Sequence, residues 1–120
     1  MKRILLVDDE INVLDMLGNF LSEKYYVRRA ENGNDALAIL KNNDYDLLIT
    51  DIFMPDSDGV SLICDAKTYK KDLKIIAMSG GALNIDKDKI KKIVMPLVNY
   101  FIRKPMDIID MANKVDELLD

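Results

Sequence analysis

Residues 3–10 read Arg3-Ile4-Leu5-Leu6-Val7-Asp8-Asp9-Glu10, four aliphatic side chains in a row that break off into three carboxylates. An apolar run of this length without alternating polar residues is what a strand looks like when both faces of its sheet are covered. Short β-rich runs recur along the chain, and strands are predicted at Arg3–Val7, Tyr26–Ala30, Leu47–Thr50, Lys74–Met78 and Tyr100–Ile102. Between them, apolar residues fall at helical spacing: Val13, Leu17, Phe20 and Leu21; then Ala36, Leu37 and Leu40; then Leu62, Ile63 and Ala66. A fourth, weaker helix carries Ile90, Ile93 and Val94 among lysines, and Met95-Pro96 should end it. The last pattern is the clearest, with Ile108, Met111, Ala112, Val115, Leu118 and Leu119 on one face. Strand–helix alternation repeated five times predicts an α/β fold: a mostly parallel, doubly wound sheet with helices on both faces.

The bulk composition fits one such unit. The chain has 120 residues, 49% hydrophobic and 32% charged, which suits a single globular domain over residues 1–120 rather than a disordered chain. It has one cysteine and no histidine, so disulfides and His- or multi-Cys-ligated zinc are excluded, and Cys64 is expected in the core. The apolar run after Met1-Lys2-Arg3 stops at Asp8, too short for a signal peptide, and nothing approaches a membrane span. A net charge of −4 argues against nucleic acid as a partner. The expectation is a soluble cytoplasmic protein with no membrane contact.

In open α/β sheets, ligands bind outside the carboxyl ends of the strands. Asp8-Asp9 follow the first predicted strand, Asp51 the third, Ser79-Gly80-Gly81 the fourth and Lys104-Pro105 the fifth. Taken singly, Asp9 could cap a helix, Asp51 could sit in a loop, Ser79 in a turn, and Lys104 on the surface. Together they place three carboxylates, a hydroxyl and an ammonium at one sheet edge. Two carboxylates about 4 Å apart repel by roughly 4 kcal/mol at an effective dielectric of ~20, so such a cluster calls for a cation. Oxygen ligands without His or Cys select Mg²⁺, Mn²⁺ or Ca²⁺.

These stretches resemble the response-regulator receiver domain of two-component systems. The resemblance rests on Ile4-Leu5-Leu6-Val7-Asp8-Asp9-Glu10, on Asp46-Leu47-Leu48-Ile49-Thr50-Asp51-Ile52-Phe53-Met54-Pro55 with Asp58-Gly59-Val60, on Met78-Ser79-Gly80, and on Phe101-Ile102-Arg103-Lys104-Pro105. It implies a flavodoxin-like, CheY-like sheet of five parallel strands in the order 2-1-3-4-5. It also implies that Asp51 is the phosphoacceptor for a phosphohistidine or a small acyl phosphate. Asp8, Asp9 and Asp51, with the backbone carbonyl of Phe53, would hold Mg²⁺ (or Mn²⁺). Ser79 would hydrogen-bond the phosphoryl group, Lys104 would pair with it, and Phe101 would stand at an aromatic switch position. Pro105 would follow a cis peptide bond. The partners implied are a sensor histidine kinase or phosphotransfer protein, and a downstream protein read by the face of the fourth helix, fifth strand and fifth helix.

Some features depart from the family pattern. The stretch from Ser79 to Lys104 is a few residues longer than is usual in the family, and Leu97-Val98 replace the Gly-Ala pair usual before the last strand. Lys87, Lys89, Lys91 and Lys92 form a basic stripe, read as a solvated helix face. Two other functions fit parts of the same pattern. An aspartyl-phosphate phosphohydrolase would need a second Asp two residues after the nucleophile, where Phe53 stands, and no external-substrate activity is expected. A docking or dimerisation module that is never phosphorylated would not need the acid–hydroxyl–lysine set.

Overall fold

The computed structural model describes residues 1–54, 57–80 and 87–120. The strands are β1 (Arg3–Val7), β2 (Tyr26–Ala30), β3 (Leu47–Asp51), a two-residue pair β4 (Phe53–Met54) and β5 (Ser57–Asp58), then β6 (Lys74–Ser79) and β7 (Tyr100–Arg103). The helices are α1 (Ile11–Leu21), α2 (Gly33–Asn42), α3 (Gly59–Tyr69), α4 (Lys87–Val94) and α5 (Ile108–Leu119). The main sheet runs β2-β1-β3-β6-β7 with every neighbouring pair parallel, while β4 and β5 form a separate antiparallel ribbon. Setting that ribbon aside, the order is the 2-1-3-4-5 expected from the resemblance.

Side chains on successive strand residues point to opposite faces, and both faces are covered. Leu5, Val7, Leu48, Ile75 and Ala77 pack with Ala36, Leu40, Leu62, Ile63, Ala66 and Val94 of α2, α3 and α4. Ile4, Leu6, Leu47, Ile49, Ile76 and Met78 pack with Leu14, Leu17 and Leu21 of α1 and Met111, Val115 and Leu119 of α5. The continuous apolar strands are thus explained by burial on two sides. Among the described residues, no helix is long and apolar enough to cross a membrane.

Two placements differ from expectation. Cys64 is exposed rather than core. The buried stripe of α3 is Gly59, Leu62, Ile63 and Ala66, and a residue one position beyond Ile63 turns about 100° away from it. Phe20 is 38% exposed, because Leu14, Leu17 and Leu21 already fill the inward face of α1. The helix end at Met95-Pro96 is as predicted: α4 stops at Val94 and a 3₁₀ turn covers Met95–Leu97. Leu97 and Val98 pack, partly buried, on the α2–α4 cluster. Asn99, just before β7, exchanges bonds with Ile75 through its N–H (2.7 Å) and its side-chain oxygen (2.9 Å).

Gly59 begins α3 against the backbone that leaves β3. A Cβ there would lie 2.6 Å from the Ile52 Cα and closer still to the Asp51 carbonyl oxygen. A Cβ at Gly18 would instead meet the Arg29 guanidinium, the mobile end of a long side chain. Gly59→Ala should therefore cost about 1–3 kcal/mol in urea unfolding. Gly18→Ala should be neutral or gain up to about 1 kcal/mol from helix propensity. Equal costs at both positions would show that backbone contact at Gly59 is not the limiting feature.

Candidate functional site

The site lies where β1, β3 and β6 end. Asp51 is the last residue of β3, paired with Met78, and Ser79 is the last residue of β6, paired with Arg103. Both strands run one residue further than the sequence pattern indicates, so these two side chains are fixed by the sheet rather than carried on loops. Asp8 follows β1 directly, its N–H donating to the Ala30 carbonyl at 3.1 Å. Asp8 and Asp51 are 0% and 3% exposed, an unusual depth for carboxylates.

Lys104 joins them. Its ammonium donates to Asp8 Oδ2 at 2.5 Å, to Asp51 Oδ2 at 2.9 Å and to Glu10 Oε1 at 3.4 Å. Its backbone N–H donates to the Ser79 carbonyl at 2.8 Å, and the Lys104–Pro105 bond is cis. The second oxygen of each buried acid has a backbone donor: Glu10 N–H to Asp8 Oδ1 at 2.9 Å, and Phe53 N–H to Asp51 Oδ1 at 3.1 Å. Carboxylates from four residues, Asp8, Asp9, Glu10 and Asp51, bring oxygens within 4.8 Å of one another.

Burial is the largest influence on Asp8 and lifts its carboxyl above the ordinary value, against the pull of Lys104 and the Glu10 N–H. Asp51 is raised for the same reason, opposed by Lys104 and the Phe53 N–H, with the charge of Asp8 adding to the rise. For Lys104, burial opposes the charged form, but the bonds and charges of Asp51 and Asp8 outweigh it and hold the ammonium protonated. The shifts agree with one another. Two buried anions share one cation, so one negative charge is in excess. With Asp9 and Glu10 added, the edge has oxygen donors and charge suited to a hard divalent cation.

Most of the predicted residues meet here, but not all. Ser79 is buried close by, its hydroxyl donating to the Gly80 carbonyl at 3.3 Å. Phe101 is partly buried and packs on the α2–α4 cluster, with the Lys91 ammonium 5.5 Å from its ring centre. Asp9 is exposed and does not cap α1, whose N-cap is Glu10, without a side-chain cap bond. Pro55 and Gly81 lie outside the described residues. Glu10 and Gly59 were missed as site residues. The third acid of the Asp-Asp-Glu run was a visible signal for Glu10, whereas nothing local to Gly59 announces the backbone it must clear.

The arrangement defines a class: a doubly wound α/β module with a cation-suited acidic edge and a buried lysine counter-charge. The chain matches the response regulator receiver domain model over residues 4–116. It is 34% identical over 123 residues to the response regulator receiver protein CpdR of Brucella abortus (strain 2308), covering 99% of this chain and 98% of that one. Two solved structures are similar. A CheY-like response regulator receiver domain protein from Methanospirillum hungatei JF-1 has TM-score 0.90 and 28% identity, covering 98% of this chain and 92% of that one. The response regulator TrrA of Thermotoga maritima, solved in complex with Mg(2+)-BeF, has TM-score 0.81 and 33% identity, covering 99% and 100%. The chain belongs to the response-regulator receiver family of two-component signalling.

Removing one partner of a buried charge cluster leaves the others uncompensated. Lys104→Ala should therefore lose about 3 kcal/mol of stability in EDTA, with Mg²⁺ recovering more of it than it adds to wild type. Asp51→Asn, which balances Asp8 against Lys104, should be at least as stable as wild type. Thermal melts with and without Mg²⁺ would read both; a Lys104→Ala melt unchanged in EDTA would disprove the compensation.

Proposed function

We propose that the chain accepts a phosphoryl group on Asp51 from a phosphohistidine of a sensor kinase or phosphotransfer protein, or from a small acyl phosphate, and that this switches a protein-binding surface. The observation that carries the proposal is the Asp51 carboxylate at the end of β3, buried and held at one oxygen by the Phe53 N–H and at the other by Lys104. A carboxylate fixed this way is oriented before the donor arrives. In the transfer, an Asp51 oxygen forms the new bond to phosphorus while the bond from phosphorus to the donor nitrogen or oxygen breaks, and the leaving group keeps that electron pair.

Asp8, Asp9 and Asp51, with the Phe53 carbonyl, would hold Mg²⁺ (or Mn²⁺), and Glu10 lies close enough to add its charge to theirs. The ion would supply neutralisation of the phosphoryl oxygens. Lys104 would exchange its bond to the Asp51 carboxylate for one to the phosphoryl group, whose charge of roughly −1.5 to −2 is a stronger attractor than the carboxylate it replaces. Ser79, now bonded to the Gly80 carbonyl, would turn its hydroxyl to the same group. β7 carries Phe101 and Lys104 follows it directly, so the change would reach the face of α4, β7 and α5, where a downstream protein would read it. Phe101 has no hydroxyl, so switching there would work through packing.

Intact mass after incubation with acetyl phosphate and Mg²⁺ should rise by about 80 Da, one phosphoryl group. Neither Asp51→Asn nor wild type in EDTA should show the gain; equal incorporation in the mutant would place the acceptor elsewhere. Lys104→Ala should retain residual incorporation while losing the accompanying chemical-shift changes around Phe101. A normal response in that variant would refute the role given to the lysine.

A further inference from the structure

At the opposite end of the sheet from Asp51, the start of β1 meets the end of α2 and the turn after α3. A cavity of about 450 Å³ opens there, lined by Arg3, Lys41, Asn42, Asn43, Asp44 and Lys70. Every one of these side chains is polar or charged. Among the lining side chains Lys70 is paired with Asp44, which leaves the charges of Arg3 and Lys41 in excess; the Asp46 carboxylate, outside the lining, accepts from the Arg3 backbone N–H at 2.8 Å. The chain as a whole carries −4, which makes a local surplus of two positive charges a concentrated feature rather than a share of a basic surface.

The guanidinium of Arg3 is held in an unusual way. Its central carbon lies 4.6 Å from the ring centre of Tyr26 and 4.9 Å from that of Tyr45. Its Nε is buried with no hydrogen-bond partner among the described residues. Buried donors of this kind are normally satisfied, and stacking on aromatic rings leaves the N–H edge of a guanidinium as the part that can bond. Among the described residues Lys41 likewise has no carboxylate partner; its ammonium stands 5.3 Å from the Tyr69 ring centre. Asn42 and Asn43 donate their side-chain N–H groups back to the Ala38 and Ile39 carbonyls, which shields an incoming anion from the open end of α2.

We propose that this cavity is a second anion site, separate from the acidic edge, which takes a phosphate group that is free or carried by a small molecule. Two excess positive charges match a phosphate dianion. The fork of Arg3 can bond two of its oxygens, and Lys41 supplies a point charge. The polar lining gives no footing to an apolar ligand.

The test is an NMR titration of ¹⁵N-labelled protein in Mg²⁺-free buffer at constant ionic strength, with inorganic phosphate in one arm and adenosine monophosphate in the other. Saturable shifts of the Asn42, Asn43 and Asp44 amides are expected in at least one arm. Equal affinity in both would identify free phosphate as sufficient, and tighter binding of the nucleotide would identify a carried phosphate. Lys41 is exposed at the end of α2, so Lys41→Gln should keep the fold. That variant should weaken binding by about tenfold, the loss of one charge-assisted contact, while mass gain from acetyl phosphate at Asp51 stays unchanged. No saturable shift at these amides with either probe, or shifts unaltered by Lys41→Gln, would overturn the proposal.

Discussion

The structure depends on a conflict at the carboxyl edge of the sheet: two buried carboxylates, Asp8 and Asp51, lie close enough to touch the same ammonium. Apolar strands drive that edge into the protein, because both sheet faces must be covered. Burial then penalises the charges that chemistry there would need. Lys104 resolves part of the conflict and leaves part of it standing, since one ammonium cannot balance two buried acids, with Asp9 and Glu10 beside them. An edge left short of positive charge attracts a cation, and it is also poised to be rearranged by any added anion. The instability and the proposed activity thus have the same source.

Much of this was legible in the sequence because it depends on period and position. Strand–helix alternation gave the sheet, and the rule that ligands gather at strand carboxyl ends gathered Asp8, Asp51, Ser79 and Lys104 although they are spread over nearly the whole chain. What escaped depends on three-dimensional closeness. Cys64 looks like a core residue by type, but its position on α3, one step past Ile63, turns it to solvent. Phe20 belongs to the apolar pattern of α1 and lies outside the stripe that packs. The ends of β3 and β6 were each placed one residue short, because Asp51 and Ser79 are polar and end an apolar run, whereas the parallel ladder continues through them. Gly59 is small because Asp51 and Ile52 pass against it, a fact that resides in the fold and not in its neighbours.

The same ladder explains how a charge event could travel. Ala77 pairs with Phe101, Met78 with Ile102, and Ser79 with Arg103, so the candidate hydroxyl and the candidate aromatic are two steps apart on one β6–β7 pair. Lys104 follows at once, its N–H anchored on the Ser79 carbonyl while its side chain reaches back to Asp8 and Asp51. In the proposed switch, drawing Lys104 toward a new anion would load the strand that carries Phe101. β7, like β2, is an edge strand, bonded on one side only, and Tyr100 and Phe101 are only partly buried. An edge strand can shift against its single neighbour more readily than a central strand held by two. Packing on both faces makes β1 and β3 a rigid platform for the carboxylates, while the lysine directly follows an edge strand, which is held by one neighbour only. β2 is an edge strand as well, but Lys104 follows β7, so in the proposed switch it is β7 that a new anion would load.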